Sequence, residues 1–131
     1  MIDQLLAGRN VLVVEDEMLV MMALEDMLTD LGCTSIAAAG TVDQAIELIA
    51  AQDFDLATID LNLNGHRSYP VARALDARGV PFAFATGYGE HGVSEGFGDR
   101  PVLTKPYNDL QLVTVLTALL DAADTAETKA A

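Results

Sequence analysis

Four short stretches of this chain carry residue types that can do chemistry together. Glu15-Asp16-Glu17 places three carboxylates side by side, Asp60 follows the apolar run Leu56–Ile59, Thr86 precedes Gly87, and Lys105 precedes Pro106. Carboxylates about 4 Å apart repel by roughly 4 kcal/mol at an effective dielectric of about 20, and a hard divalent cation relieves that repulsion. Mg²⁺ prefers oxygen ligands and is usually held by one or two carboxylates plus phosphate oxygens. One carboxylate can then act as a nucleophile toward phosphorus and become an aspartyl phosphate. Such transfer needs in-line positioning and cations around the equatorial oxygens. Lys105 offers a point charge for one oxygen, and the Thr86 hydroxyl can bond another. All of this requires the four stretches to meet in space.

The elements between them bring that about. Val11–Val14 is an unbroken apolar run, as in a strand buried on both faces. Val20, Leu24, Met27, Leu28 and Leu31 then recur at helical spacing, with Gly32 just past the end. Residues 34–38 read as a weaker strand. Thr41 and Gln44 form a capping box for a helix carrying Val42, Ala45, Ile46 and Ile49. Leu56–Ile59 is a third strand, residues 69–78 a helix, Phe82–Ala85 a fourth strand and Val102–Leu103 a short fifth. Asn108 caps a last helix with Leu112, Val115, Leu116 and Leu119 on one face. Strands alternating with helices imply a parallel sheet covered on both sides. In such sheets the ligand site lies beyond the carboxyl ends of the strands, at the switch in strand order. The four stretches all follow strands, so they converge on one edge.

Composition narrows the function. The 131 residues suit one domain, and 51% hydrophobic with 21% charged residues is ordinary for a globular chain. The formal net charge of −13 is repelled by nucleic acid and by anionic membranes. Cys33 is alone, so no disulfide forms within the chain, and it reads as a partly buried thiol. No apolar run reaches the ~18 residues of a membrane span, and no cleavable leader is evident, so the cytoplasm is the expected location. There are no internal repeats. Residues 123–131 read as a flexible C-terminal tail after a domain spanning residues 1–122, with no output domain.

The motifs together resemble the receiver domains of two-component signalling, over about residues 9–122. The resemblance rests on Val-Leu-Val-Val-Glu-Asp-Glu at 11–17, Asp60, Thr86 and Lys105-Pro106, in order and on the right strand ends. It implies a flavodoxin-like (βα)5 doubly wound parallel sheet with strand order 2-1-3-4-5. It implies Asp60 as phospho-acceptor, Mg²⁺ bound by Asp16, Asp60 and the backbone carbonyl of Asn62, with Glu15 acting through water, and Thr86 and Lys105 holding the phosphoryl group. The Lys105–Pro106 bond is expected to be cis. The implied partner is a sensor histidine kinase or phosphotransfer protein, with the chain relaying phosphate, acting as a sink for it or docking on a regulator, as a monomer or weak dimer. It is not expected to be an enzyme acting on a separate metabolite. Pro81-Phe82-Ala83-Phe84-Ala85-Thr86-Gly87-Tyr88-Gly89, with Asp60–Gly65 and Ser68–Ala72, is similar to the Phe-Ala-Thr-Gly-x-Tyr subgroup of single-domain receivers found among alphaproteobacteria.

Two departures from the common receiver pattern stand out. Leu63-Asn64-Gly65 replaces the usual Met-Pro, and Val102 replaces the aromatic switch residue three positions before the lysine, leaving Tyr88 or Tyr107 as substitutes. The five glycines of residues 87–98 make a fourth helix marginal near 89–97 and suggest an order–disorder switch there. On the first helix, Met18 and Met22 lie opposite the core stripe; since receivers dock kinases on this helix, they are candidate contacts. Glu17 reads as a first-turn acid, and His66 and His91 as solvated loop residues. Leu110, Val113 and Leu120 widen the apolar surface of the last helix enough for a dimer.

Three rivals remain. An aspartate-nucleophile phosphohydrolase typically has a second acid two residues after the nucleophile, where this chain has Asn62. A flavodoxin-like cofactor carrier needs a glycine- and hydroxyl-rich loop after the first strand, where this chain has three acids. A chemically silent pseudo-receiver would lack one of the site residues, and none is missing.

Overall fold

Strand and helix alternate along the chain as the apolar pattern implies. The computed structural model describes residues 4–87 and 96–130, with side chains through residue 122. The elements are β1 (Asn10–Val14), α1 (Met18–Asp30), β2 (Ser35–Ala39), α2 (Val42–Ala51), β3 (Leu56–Asp60), β4 (Asn62–Leu63), β5 (His66–Arg67), α3 (Tyr69–Ala77), β6 (Phe82–Thr86), β7 (Val102–Thr104) and α4 (Asp109–Ala130). Five strands form one parallel sheet in the order β2-β1-β3-β6-β7. Counting only these five, the order is 2-1-3-4-5, the expected flavodoxin-like arrangement.

The sheet divides the core in two. Val11, Val13 and Leu56 pack with Leu24 and Leu28 of α1 and with Leu112, Leu116 and Leu119 of α4. Leu12, Val14, Ala57 and Ile59 face the other way, toward Ala45 and Ile49 of α2 and Val71, Ala72 and Leu75 of α3. Alternate residues of one strand thus serve opposite layers, and all five residues of β3 are buried. Half of the capping box holds: the Thr41 hydroxyl accepts from the Gln44 N–H at 3.1 Å, while Gln44 Oε1 reaches one residue past the cap and accepts from the Gly40 N–H at 2.9 Å. Asn108 Oδ1 accepts from the Gln111 N–H at 2.8 Å at the start of α4.

Several expectations need adjusting. The last helix continues to Ala130, through the stretch expected as a tail. Nothing between Asp109 and Ala130 is Gly or Pro, and alanine is the best helix former, so the chain offers no stop signal there. Leu120 is buried, which narrows the exposed apolar face of α4, although Leu110 is 74% exposed. Glu17 sits at the N-cap of α1 and not in its first turn. β4 and β5 form a small antiparallel hairpin that the sequence reading treated as loop. Cys33 is buried, its thiol directed at the Ser35 carbonyl at 3.5 Å, and burial raises its pKa; both suit an inert thiol. Tyr88, His91 and most of the glycine-rich stretch lie outside the described residues. No helix among the described residues is long and apolar enough to cross a membrane.

Candidate functional site

The edge that gathers the carboxyl ends of β1, β3, β6 and β7 brings the sequence candidates together. Asp60 is the last residue of β3, Thr86 the last of β6, and Glu15 and Asp16 follow β1 directly. One carboxylate oxygen from each of Glu15, Asp16 and Asp60 lies within 4.8 Å of the others. Lys105 stands in the middle: its Nζ donates to Glu15 Oε1 at 2.6 Å and to Asp60 Oδ2 at 3.0 Å. The lysine reaches this place because its backbone N–H donates to the Thr86 carbonyl at 2.8 Å. The Lys105–Pro106 bond that follows is cis.

Each of the three carboxylates is also fastened by a backbone amide. Asn62 N–H donates to Asp60 Oδ1 at 3.1 Å, Glu17 N–H to Glu15 Oε2 at 3.2 Å, and Asn64 N–H to Asp16 Oδ2 at 3.0 Å. The cleft above them, about 220 Å³, is lined by Asp16, Asp60, Asn62, Asn64, Gly65 and Lys105 among others.

The electrostatics follow from this crowding. Two like charges 4.8 Å apart repel by about 3.5 kcal/mol at an effective dielectric of about 20. Burial raises the Glu15 carboxyl from 4.5 to about 7; the Lys105 hydrogen bond pulls it down, and the neighbouring Asp60 pushes it up again. Burial opposes charge on Lys105 too, but its bonds to Glu15 and Asp60 outweigh burial and raise its pKa. Burial also raises Tyr107. The three carboxylate oxygens that meet here are hard ligands, a set that suits a divalent cation of the Mg²⁺ type.

A pH dependence follows. The folded-state pKa of Glu15, about 7, lies above its ordinary value of 4.5, so the folded form holds the proton more tightly. Its contribution to stability is therefore present at low pH and is lost as pH rises from about 4.5 through about 7. In chelator-treated samples, the stability of wild type relative to Glu15→Gln is expected to fall over that window in urea unfolding. Excess Mg²⁺ is expected to stabilise wild type more at about pH 8 than at about pH 6, because protons compete for its ligands. A flat difference between wild type and Glu15→Gln would contradict the assigned shift.

The remaining candidates are placed as follows. Thr86 is buried at the edge, paired in register with Thr104. Val102 is 43% exposed on β7, away from the cleft lining, and Pro106 is exposed in the loop after Lys105. Met18 and Met22 are exposed on α1, as the helical spacing implied, and so is Leu19, which was overlooked. An apolar groove of about 550 Å³ runs beside the cleft between Leu19, Val20 and Ala23 on one side and Pro106 and Tyr107 on the other. His66 is exposed on β5. Sequence reasoning missed Asn64 and Gly65 as parts of the site, although Asn-Gly is the strongest short signal for a two-residue hairpin turn.

Comparison with known proteins agrees with this geometry. The description "response regulator receiver domain" fits residues 11–117. SdrG from Sphingomonas melonis Fr1 is 43% identical, with a TM-score of 0.78 over 86% of this chain and 96% of that one. The BeF3-activated conformation of SdrG from Pseudomonas melonis Fr1 aligns with a TM-score of 0.75 at 43% identity, covering 87% and 98% of the two chains. The PhyR response regulator REC domain of Erythrobacter litoralis is 33% identical, with a TM-score of 0.75 over 88% of this chain and 92% of that one. Among curated proteins none matches. With the match spanning most of its length, this chain belongs to the response regulator receiver domain family.

Proposed function

We propose that the chain is a single-domain response regulator that accepts a phosphoryl group onto Asp60 from the phosphohistidine of a histidine kinase or phosphotransfer protein. The observation that carries this reading is Lys105 bridging Glu15 and Asp60 within the three-carboxylate cluster. A nucleophile, a cation for the phosphoryl oxygens and a set of metal-ligand oxygens stand within one cleft. The match to the response regulator receiver domain over residues 11–117 supports this reading. Residues 1–122 would be the receiver and 123–131 its C-terminal tail.

In this reading an Asp60 oxygen attacks phosphorus in line as the P–N bond to imidazole breaks. The electron pair leaves on the imidazole nitrogen, which regains a proton. Lys105 turns its ammonium from the carboxylates to a phosphoryl oxygen, and the Thr86 hydroxyl donates to another. Mg²⁺, held by Asp16, Asp60 and the Asn62 carbonyl and through water by Glu15, would neutralise charge on the transferred group. The chain catalyses its own phosphorylation and dephosphorylation and signals by docking. Met18 and Met22, exposed on α1, suit a partner helix, and the acidic surface favours cytoplasmic protein partners over nucleic acid or membrane.

The test is phosphorylation by acetyl phosphate, with and without Mg²⁺, read on a gel that retards phosphoproteins. The expected shift depends on Mg²⁺ and is acid-stable and base-labile. No shift with acetyl phosphate, and none with a cognate kinase, would leave a folded domain that works by docking alone.

A further inference from the structure

The hairpin of β4 and β5 begins two residues after Asp60, and its turn bonds to Asp16 of the carboxylate cluster. Asn62 pairs with Arg67 and Leu63 with His66, which leaves Asn64-Gly65 as a two-residue turn. Both turn residues have positive φ, 52° at Asn64 and 86° at Gly65, the signature of a type I′ hairpin. The Asn62 side chain locks the turn, its Oδ1 accepting from the Gly65 N–H at 2.9 Å. The conformation directs the Asn64 N–H onto Asp16 Oδ2 at 3.0 Å, a bond between groups 48 residues apart in sequence.

We infer that this Asn-Gly turn is a positioning element for Asp16, fixing its carboxylate so that the second oxygen is presented to a divalent cation. The inference rests on the proposed role of the cluster as a Mg²⁺ site. A carboxylate on a loop is free to rotate; one that accepts a charge-assisted bond from a rigid turn is not. Groups that orient metal ligands typically change affinity by about 10–100-fold when removed. The two cations respond differently to lost orientation. Mg²⁺ demands near-ideal octahedral geometry, whereas Ca²⁺ accepts irregular sets of six to eight oxygens. A positioning role therefore affects selectivity between the cations, and a purely structural role does not.

The turn can be disturbed through its backbone. A Cβ built on Gly65 meets nothing within 4 Å, so a substitution there acts first through the positive φ, which a β-branched residue strongly disfavours. The experiment titrates Mg²⁺ and Ca²⁺ separately into the unphosphorylated full chain by calorimetry, for wild type, Gly65→Val and Gly79→Val, with thermal unfolding in chelator confirming that each variant is folded. In Gly65→Val, Mg²⁺ affinity is expected to fall about tenfold and Ca²⁺ affinity by less than about threefold. Gly79→Val disturbs a positive φ of 70° away from the cleft, and is expected to stay within about twofold of wild type for both cations. Independently, the Asn64 amide proton of wild type is expected at low field and to move upfield in Asp16→Ala, which removes its acceptor. Equal loss of both affinities in Gly65→Val, or no loss, would overturn the inference while leaving the Mg²⁺ site standing. Failure of wild type to bind Mg²⁺ would remove the metal site and the inference together.

Discussion

With Asn in place of Asp60, no phosphoprotein is expected from acetyl phosphate or from a kinase, whatever the Mg²⁺ concentration. The nucleophile is a carboxylate oxygen, and a neutral amide oxygen is far weaker and forms no acyl phosphate. The substitution also fits the pocket badly. Asp60 Oδ1 accepts from the Asn62 N–H and Oδ2 from Lys105 Nζ, so both partners are donors. An amide has one acceptor and one donor, and either orientation sets an NH₂ against a donor in a buried place. One of the three clustered charges is lost as well, which is expected to weaken divalent-cation affinity on the order of tenfold or more. Phosphate-retarding gels and calorimetry read the two effects separately. A phosphoprotein persisting in Asp60→Asn would place the acceptor elsewhere.

Lys105→Met is expected to have the largest effect on stability. Methionine matches the lysine stem in length but removes the one cation that bridges Glu15 and Asp60, whose side chains are 4% and 6% exposed. Removing one partner of a buried ion pair costs about 3–5 kcal/mol, because the remaining charge is left uncompensated. The cost here has a release valve. Glu15 already titrates near 7 in the wild type, and without Lys105 its carboxyl is pushed further up, so protonation relieves the repulsion as pH falls. Urea unfolding of Lys105→Met in chelator is therefore expected to show its full deficit at about pH 8 and a smaller one at about pH 6, with added Mg²⁺ restoring much of the loss. Wild-type stability at both pH values would mean that the carboxylates are solvated well enough not to need the lysine.

How much of this was legible depends on the kind of signal each feature leaves. The convergence of Glu15, Asp16, Asp60, Thr86 and Lys105 was legible because a parallel α/β sheet has only one edge for residues that follow its strands. The apolar runs Val11–Val14 and Leu56–Ile59 announced doubly buried strands, but not which residue faces which layer. A strand buried on both sides loses its period of two, so the division of Leu12 from Val13 between core layers emerges only in three dimensions. The 2.6 Å contact of Lys105 with Glu15 was equally hidden, since nothing local distinguishes a lysine aimed at two carboxylates from one aimed at a ligand. The hydrogen bond from the Asn64 backbone N–H to Asp16 leaves no side-chain trace at all; only the Asn-Gly pair hinted at the turn that makes it. The end of α4 was misjudged because charge and alanine content suggested fraying, while the absence of any breaker left the helix free to continue.

Tyr69 lies in the aromatic group of the second core layer, edge-on to Phe84 with centroids 6.1 Å apart and stacked on Phe97 at 6.1 Å and 8° between planes. Arg100 lies over Phe82 and Phe97 from outside, 5.0 and 5.7 Å from the ring centroids, and pairs with Asp76. The chain has no tryptophan. Tyr69, held in asymmetric surroundings, is thus a built-in optical probe under no indole band, isolated by Tyr88→Phe and Tyr107→Phe. Near-ultraviolet circular dichroism, which tracks tertiary packing, can follow the layer beside β3 and β6 in unlabelled protein as Asp60 changes state. Because Phe97 lies near the C-terminal end of the glycine-rich stretch, the same band reads how that end is anchored.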